Sequence, residues 1–182
     1  MKKFLTLVLA MLLVLSMLAA CNKQEDPSGE EEEGEESICT ETYEADWGSF
    51  KYPKGFTKVY DTDEMVMLMN SSTGESVLVQ IDGYFAGDEW EPLSFPSAVE
   101  FNDEMGGYFE GEISDVKQTS VTETMATYTF ACAMDAGTFY CTVLLQCPTE
   151  PDSDGYVREF FVTITEKSAD RELAKDFGFS VK

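Results

Sequence analysis

Apolar residues recur mostly at every second position along this chain, the period of β-strands with at least one covered face. Residues 49–53 read as a short extended segment, closed by Tyr52-Pro53 and a Lys54-Gly55 turn. Residues 64–70 alternate, Ser71-Ser72-Thr73-Gly74 makes a turn, and 75–84 is extended again, which predicts a hairpin. A polar, proline-bearing loop over 86–94 follows. The period then changes. Ala98, Phe101 and Met105 recur at helical spacing, Ser97-Ala98-Val99-Glu100 has the spacing of a capping box, and Gly106-Gly107 ends the element. Residues 112–118, 123–134, 138–147 and 156–165 predict four further strands, with Asp135-Ala136-Gly137 as a turn and 148–155 as a polar loop. Phe139, Cys141, Val143, Leu145 and Cys147 share one strand face, matched by Tyr128, Phe130, Cys132 and Met134 on the strand before. Ser168 is placed to cap a short closing helix anchored by Leu173 and Phe177, after which 179–181 extends away. This order of elements predicts a single α+β domain over 38–182, built on an antiparallel β-sheet flanked by helices.

The residues ahead of that domain follow neither period. Lys2 and Lys3 precede an apolar run over 4–20, and Leu18-Ala19-Ala20-Cys21 resembles the lipobox of bacterial lipoproteins. That resemblance implies a signal peptide over 1–20, removed on export, and a lipid-modified Cys21 that anchors the chain at the extracytoplasmic face of a cell membrane. The competing reading is a retained apolar helix. Residues 21–37 carry Glu25, Asp26, the Glu30–Glu33 run, Glu35 and Glu36 with almost nothing apolar, so they are expected to be a disordered acidic spacer.

Charge narrows the function classes. The 182 residues include 35 Asp or Glu against 12 Lys or Arg, a formal net charge of −23. Such a surface repels phosphate backbones, so nucleic acid is not an expected partner. The chain has no histidine, which removes Ser-His-Asp and Cys-His relays and the commonest metal ligand.

A family resemblance enters at Trp47-Gly48-Ser49-Phe50-Lys51-Tyr52-Pro53-Lys54-Gly55-Phe56, which is similar to the opening of PsbP-like proteins. The strands over 113–165 and the closing Asp176-Phe177-Gly178-Phe179-Ser180-Val181 resemble that family's later elements. The cysteines and the acidity depart from its pattern. The resemblance implies an α/β/α sandwich and a protein that binds or scaffolds, and it carries over no catalytic residue.

Few residues offer chemistry. Met65, Met67 and Met69 alternate on one strand, a spacing that suits thioether ligands to Cu(I) and equally suits the core face of a sheet covered on both sides. Asp152-Ser153-Asp154-Gly155 resembles part of a calcium loop, but the residue at the twelfth position is Thr163 and not Glu. Asp61, Asp63 and Glu64 form another acidic turn. The many carboxylates make a two-carboxylate hydrolase conceivable. Trp47, Trp90, Phe95, Tyr108 and Phe109 lie near loops and helix ends, where they line either a groove or the core.

Besides Cys21 the chain has Cys39, Cys132, Cys141 and Cys147, which allow three disulfide connectivities in an exported protein. If Ala136-Gly137 is a two-residue loop, Asp135 faces Thr138 and Cys132 faces Cys141, at a closely approaching non-hydrogen-bonded position. Cys39 and Cys147 then pair by elimination. Four buried thiols are the alternative. The reading that follows is a lipid-anchored, non-catalytic binding or scaffold domain without a cofactor, acting on an unidentified envelope protein or ligand. An extracytoplasmic metal or small-solute binder, using Met65, Met67, Met69, Asp152 or Asp154, is the alternative. A carboxylate-dependent hydrolase ranks behind both.

Overall fold

Strand alternation builds two antiparallel sheets in a computed structural model that describes residues 37–87, 90–105 and 111–182. The larger has seven strands: β3 (Thr57–Asp61), β4 (Met65–Met69), β5 (Ser76–Phe85), β6 (Glu112–Val121), β7 (Met125–Met134), β8 (Gly137–Gln146) and β9 (Tyr156–Glu166). Their spatial order is β3-β4-β5-β9-β8-β7-β6. Two meanders therefore meet where β9 pairs with β5, from Ser76↔Thr165 to Phe85↔Tyr156. The smaller sheet joins β1 (Glu41–Ala45), β2 (Gly48–Tyr52) and β10 (Phe179–Val181) in the order β1-β2-β10. Two short helices complete the described fold, α1 (Ala98–Met105) and α2 (Glu172–Asp176).

The connection from β5 to β6 must travel from the middle of the large sheet to its far edge, and α1 lies on that path. Its start is the expected capping box: Glu100 N donates to Ser97 Oγ at 3.4 Å and Ser97 N to Glu100 Oε2 at 2.8 Å. Phe101 stacks on Tyr128 with ring centroids 4.2 Å apart. Tyr128 Oη donates to the Pro96 carbonyl, which also accepts from Gln118 Nε2 at 3.1 Å. These contacts pin the helix over β6 and β7. On the same face lie Met65, Met67, Met69, Leu78, Phe130, Cys132, Cys141 and Val143, all buried.

The opposite face is covered by the small sheet and α2. Val66, Leu68, Val77, Val79, Phe160, Val162 and Ile164 meet Trp47, Phe50 and Leu173 there. Trp47 packs on Phe160 and Phe179, and Phe50 on Tyr43 and Phe177, with centroids 5.1–6.1 Å apart. Gly48 makes the close approach possible, since a Cβ there would sit 2.1 Å from the Ser180 carbonyl oxygen.

This arrangement corrects the expected α/β/α sandwich. The sheet is not sandwiched between two helical layers: one face carries the single short helix α1, and the other is covered mainly by three strands, with a helix of five residues beside them. The physical reason lies in the ends of the domain. Tyr43, Trp47, Phe50, Phe177 and Phe179 form an aromatic layer, and the β1–β2–β10 pairing holds most of it against the large sheet. The alternation in β1 and β3 is too weak to have been read from sequence, and 179–181 pairs with β2 where it was expected to extend away.

The cap of α2 also differs. Ser168 Oγ accepts from Asp170 N at 3.2 Å, one turn too early to cap the helix. The helix N-terminus is held by Glu166, whose carboxylate accepts from Leu173 N and Ala174 N, each at 3.1 Å. Glu166 is 1% exposed, and burial raises its carboxyl above the ordinary range, partly opposed by those two donors.

The disulfide expectation fails on register. The turn is Asp135-Ala136, with Met134↔Gly137 as the closing pair, so Cys132 faces Phe139 and Cys141 faces Phe130. Moving the loop by one residue takes the two thiols out of opposition and leaves them diagonal. Cys39 lies in the aromatic cluster, whereas Cys147, just past the end of β8, lies near Glu159 of the helix-side face. All four are buried free thiols. Burial pushes Cys39, Cys141 and Cys147 up to about 12, which suits inert core residues.

Candidate functional site

The even-numbered side chains of β5 run along the helix-side face in the order Ser76, Leu78, Gln80, Asp82, Tyr84, because alternation sends Val77, Val79 and Ile81 to the aromatic face. β9 contributes Thr163, Phe161 and Glu159 to the same face. Two consequences follow from the β5–β9 register. Asp82 stands directly opposite Glu159, and Gln80, one step inward, stands between Met65 of β4 and Phe161 of β9.

Like charges directly opposite each other are destabilising. Nothing among the described residues offsets this pair with a positive charge. Arg158 is the nearest basic residue in sequence, but alternation places it on the other face, 5.6 Å from the centroid of the Tyr156 ring. A Cβ on Gly83 would meet Tyr156 Oη at 2.1 Å, so the glycine lets that ring lie close on the aromatic side.

The loop after β5 brings two aromatic groups to the carboxylates. Tyr84 Oη donates to Glu159 Oε1 at 2.7 Å, and Trp90 Nε1 donates to Tyr84 Oη at 3.4 Å. Trp90 is held by its own N–H on the Gly87 carbonyl at 3.0 Å, and the loop starts from Ala86 N on the Gly155 carbonyl at 2.9 Å. Burial and the neighbouring Glu159 carboxylate raise the Tyr84 hydroxyl, while the Trp90 N–H opposes them. The Cys147 thiol is pushed up to about 12 by burial first and by Glu159 second.

Gln80 is the unusual member of this cluster. It is 2% exposed, yet its Oε1 meets no donor among the described residues. An unmade hydrogen bond on a buried amide costs about 1–3 kcal/mol. Gln80 and Asp82 are two residues apart on the same face of β5, so this unpartnered acceptor neighbours the two facing carboxylates along the strand.

Of the residues singled out from sequence, Trp90, Met65 and Cys147 border this place: Trp90 donates to Tyr84, Met65 stands in register with Gln80, and Cys147 lies near Glu159. Met65, Met67 and Met69 are 7%, 2% and 4% exposed and pack within the apolar cluster under the helix-side face. Val66 and Leu68 are buried on the other face, so β4 is covered on both sides, as its alternation suggested. Asp152 Oδ1 accepts from Asp154 N and Tyr156 N, each at 2.9 Å, and so folds its own loop; Asp154 is exposed. Asp61 accepts from Lys58 Nζ at 2.6 Å and from Tyr43 Oη, which hold its carboxyl below the ordinary range. Trp47 and Phe95 serve the two cores. Cys21, Tyr108, Phe109, the apolar run over 4–20 and the acidic spacer up to Glu36 lie outside the described residues. Among the described residues no group of three or more acidic or thiol side chains is placed to hold a metal ion, and no helix is long and apolar enough to cross a membrane.

Sequence reasoning missed Gln80, Asp82, Tyr84 and Glu159. Their signal was present on β5, where Gln80 and Asp82 continue the face of Leu78 that ought to be apolar. Glu159 could not be joined to them without the β5–β9 register, a pairing of strands about 75 residues apart. No family model matches this chain, and no curated protein matches it.

Proposed function

We propose that this chain is a bacterial lipoprotein, held by lipid on Cys21 at the extracytoplasmic face of the membrane, whose folded domain binds a small solute without transforming it. The observation that carries the binding half is Gln80: a buried acceptor without a donor beside the facing Asp82 and Glu159 carboxylates. The anchoring half rests on Leu18-Ala19-Ala20-Cys21 behind a basic start and an apolar run. The acidic spacer then serves to hold the domain away from an anionic surface.

Fractionation of a bacterial host expressing the full chain tests the anchor. The wild type is expected in the membrane fraction with incorporated labelled fatty acid, and Cys21→Ser is expected to lose the label. A label that persists in Cys21→Ser overturns the lipoprotein reading. A glycan substrate hydrolysed by the wild type, but not by Asp82→Asn or Glu159→Gln, overturns the non-catalytic reading in favour of a two-carboxylate hydrolase.

A further inference from the structure

We infer that the ligand of the Gln80–Asp82–Glu159 cluster is an organic cation with a primary ammonium head and an apolar body; this rests on the binding function proposed above and names its ligand class. What the cluster lacks is a donor. Gln80 Oε1 has none, no described residue donates to Asp82, and Glu159 receives one bond, from Tyr84. A primary ammonium supplies three N–H donors and one positive charge, and so answers both the unmade bonds and the facing carboxylates. A neutral polyol supplies donors but leaves the two negative charges unbalanced.

The surroundings separate an organic cation from a metal ion. A hard divalent cation takes six or more oxygens and keeps its water. Here Gln80 stands in register between Met65 and Phe161, and the rings of Tyr84 and Trp90 meet beside Glu159, neighbours that suit an organic cation better than a hydrated metal ion. Arg158, next to Glu159 in sequence, is turned to the opposite face. The net charge of −23 adds a long-range attraction for any cation.

The test is calorimetry and thermal shift on the full-length chain in detergent, with benzylamine and 1,4-diaminobutane as probes and benzyl alcohol, glucose and calcium chloride as comparators. Binding of an amine and none of the matched alcohol is expected. Asp82→Asn should weaken amine binding at least tenfold and, without ligand, should melt at a higher temperature than the wild type, because one of two facing charges is gone. Gln80→Leu should weaken binding at unchanged fold, and Arg158→Gln should leave it unchanged. A larger shift with calcium than with either amine overturns the ligand class in favour of a metal. Binding of glucose or benzyl alcohol without the amines overturns it in favour of a neutral ligand, and in both cases the binding function stands. No binding of any probe, together with no effect of Asp82→Asn on the ligand-free melting temperature, overturns the cluster as a ligand site altogether.

Discussion

The two faces of the seven-stranded sheet are both covered over its central strands, but they are made of different material. The face under the small sheet is valine, isoleucine and leucine against stacked aromatic rings, residues with few rotamers and large contact area. The face under α1 mixes methionines and thiols with the rings of Phe101, Tyr128 and Phe130, and Ser76, Gln80, Thr163 and Thr165 are among its buried residues. Thioether chains fill irregular space and adapt when it changes. The first face thus carries the more rigid packing, while the second adds adaptable packing and the Gln80 acceptor on which the proposed ligand site rests. Among the described residues both faces keep buried polar atoms without partners, Gln80 Oε1 on the helix side and Thr142 Oγ1 and Arg171 Nη1 on the aromatic side, where the Glu166 carboxylate is met by two backbone donors.

Large-to-small substitutions test this contrast most strongly. Phe50→Ala should destabilise the domain by about 4 kcal/mol, because rigid rings around it cannot collapse into the space. Phe101→Ala should cost about 3 kcal/mol, with the methionines closing part of the cavity. Urea unfolding of the two variants measures the difference. A larger loss for Phe101→Ala would show that the helix side is the rigid face, and the comparison would reverse.

Glu166 gives the next effect. Glu166→Ala removes both acceptors at the start of α2 and should cost about 2–3 kcal/mol. Its pH dependence has a definite sign. A carboxyl raised by burial binds its proton more readily in the folded state, so its contribution to stability falls as pH rises from the ordinary 4.5 through the raised value. Asp176 behaves oppositely: accepting from Cys39 N at 2.6 Å and Ser37 Oγ at 2.7 Å lowers its carboxyl, and the stabilisation is lost as pH falls below the ordinary 3.8. Melting curves from pH 3 to 8 should therefore lose slope above about 4.5 in Glu166→Gln and below about 3.8 in Asp176→Asn. Unchanged slopes would mean that neither carboxyl is coupled to folding.

How much of this was legible in sequence depended on distance along the chain. Local signals read well: the Ser97–Glu100 box, the two-sided burial of β4, and the inward sets on β7 and β8. The β7–β8 turn was read one residue late, because Gly137 at φ 116 looks like a turn residue and is in fact the first residue of β8. That single residue decided the disulfide. The cap from Glu166, the cover from β1, β2 and β10, and the facing of Asp82 with Glu159 all join segments far apart in sequence, where no periodicity reports the partner.

A smaller effect separates charge from packing on the helix side. Asp82→Asn should raise stability by about 0.5–1 kcal/mol without ligand, whereas the same change at exposed Asp154 should do nothing measurable. Thermal melting of the two variants decides. If Asp82→Asn lowered stability, Asp82 would have a structural partner and the unbalanced pair would be a misreading.

The smallest effect sets the two left-handed residues against each other. Asp115 has φ 56 at the place where β6–β7 pairing is interrupted between Ser114 and Lys117, and its side chain is exposed. Asp tolerates this conformation better than most residues, so Asp115→Gly should gain only about 0.5 kcal/mol. Arg171, at φ 54 ahead of α2, has the same backbone and a different side chain. Its Nη2 donates to the Phe130 carbonyl at 3.1 Å, opposite the interruption in β6, and its guanidinium lies 5.4 Å from the centroid of Tyr140. Arg171→Gly relieves the same strain but gives up those contacts on the aromatic side, so its sign should be negative. Paired melting curves give both signs at once: a gain at both positions would mean that the Arg171 contacts contribute nothing, and a loss at both that backbone strain at the β6 interruption is negligible.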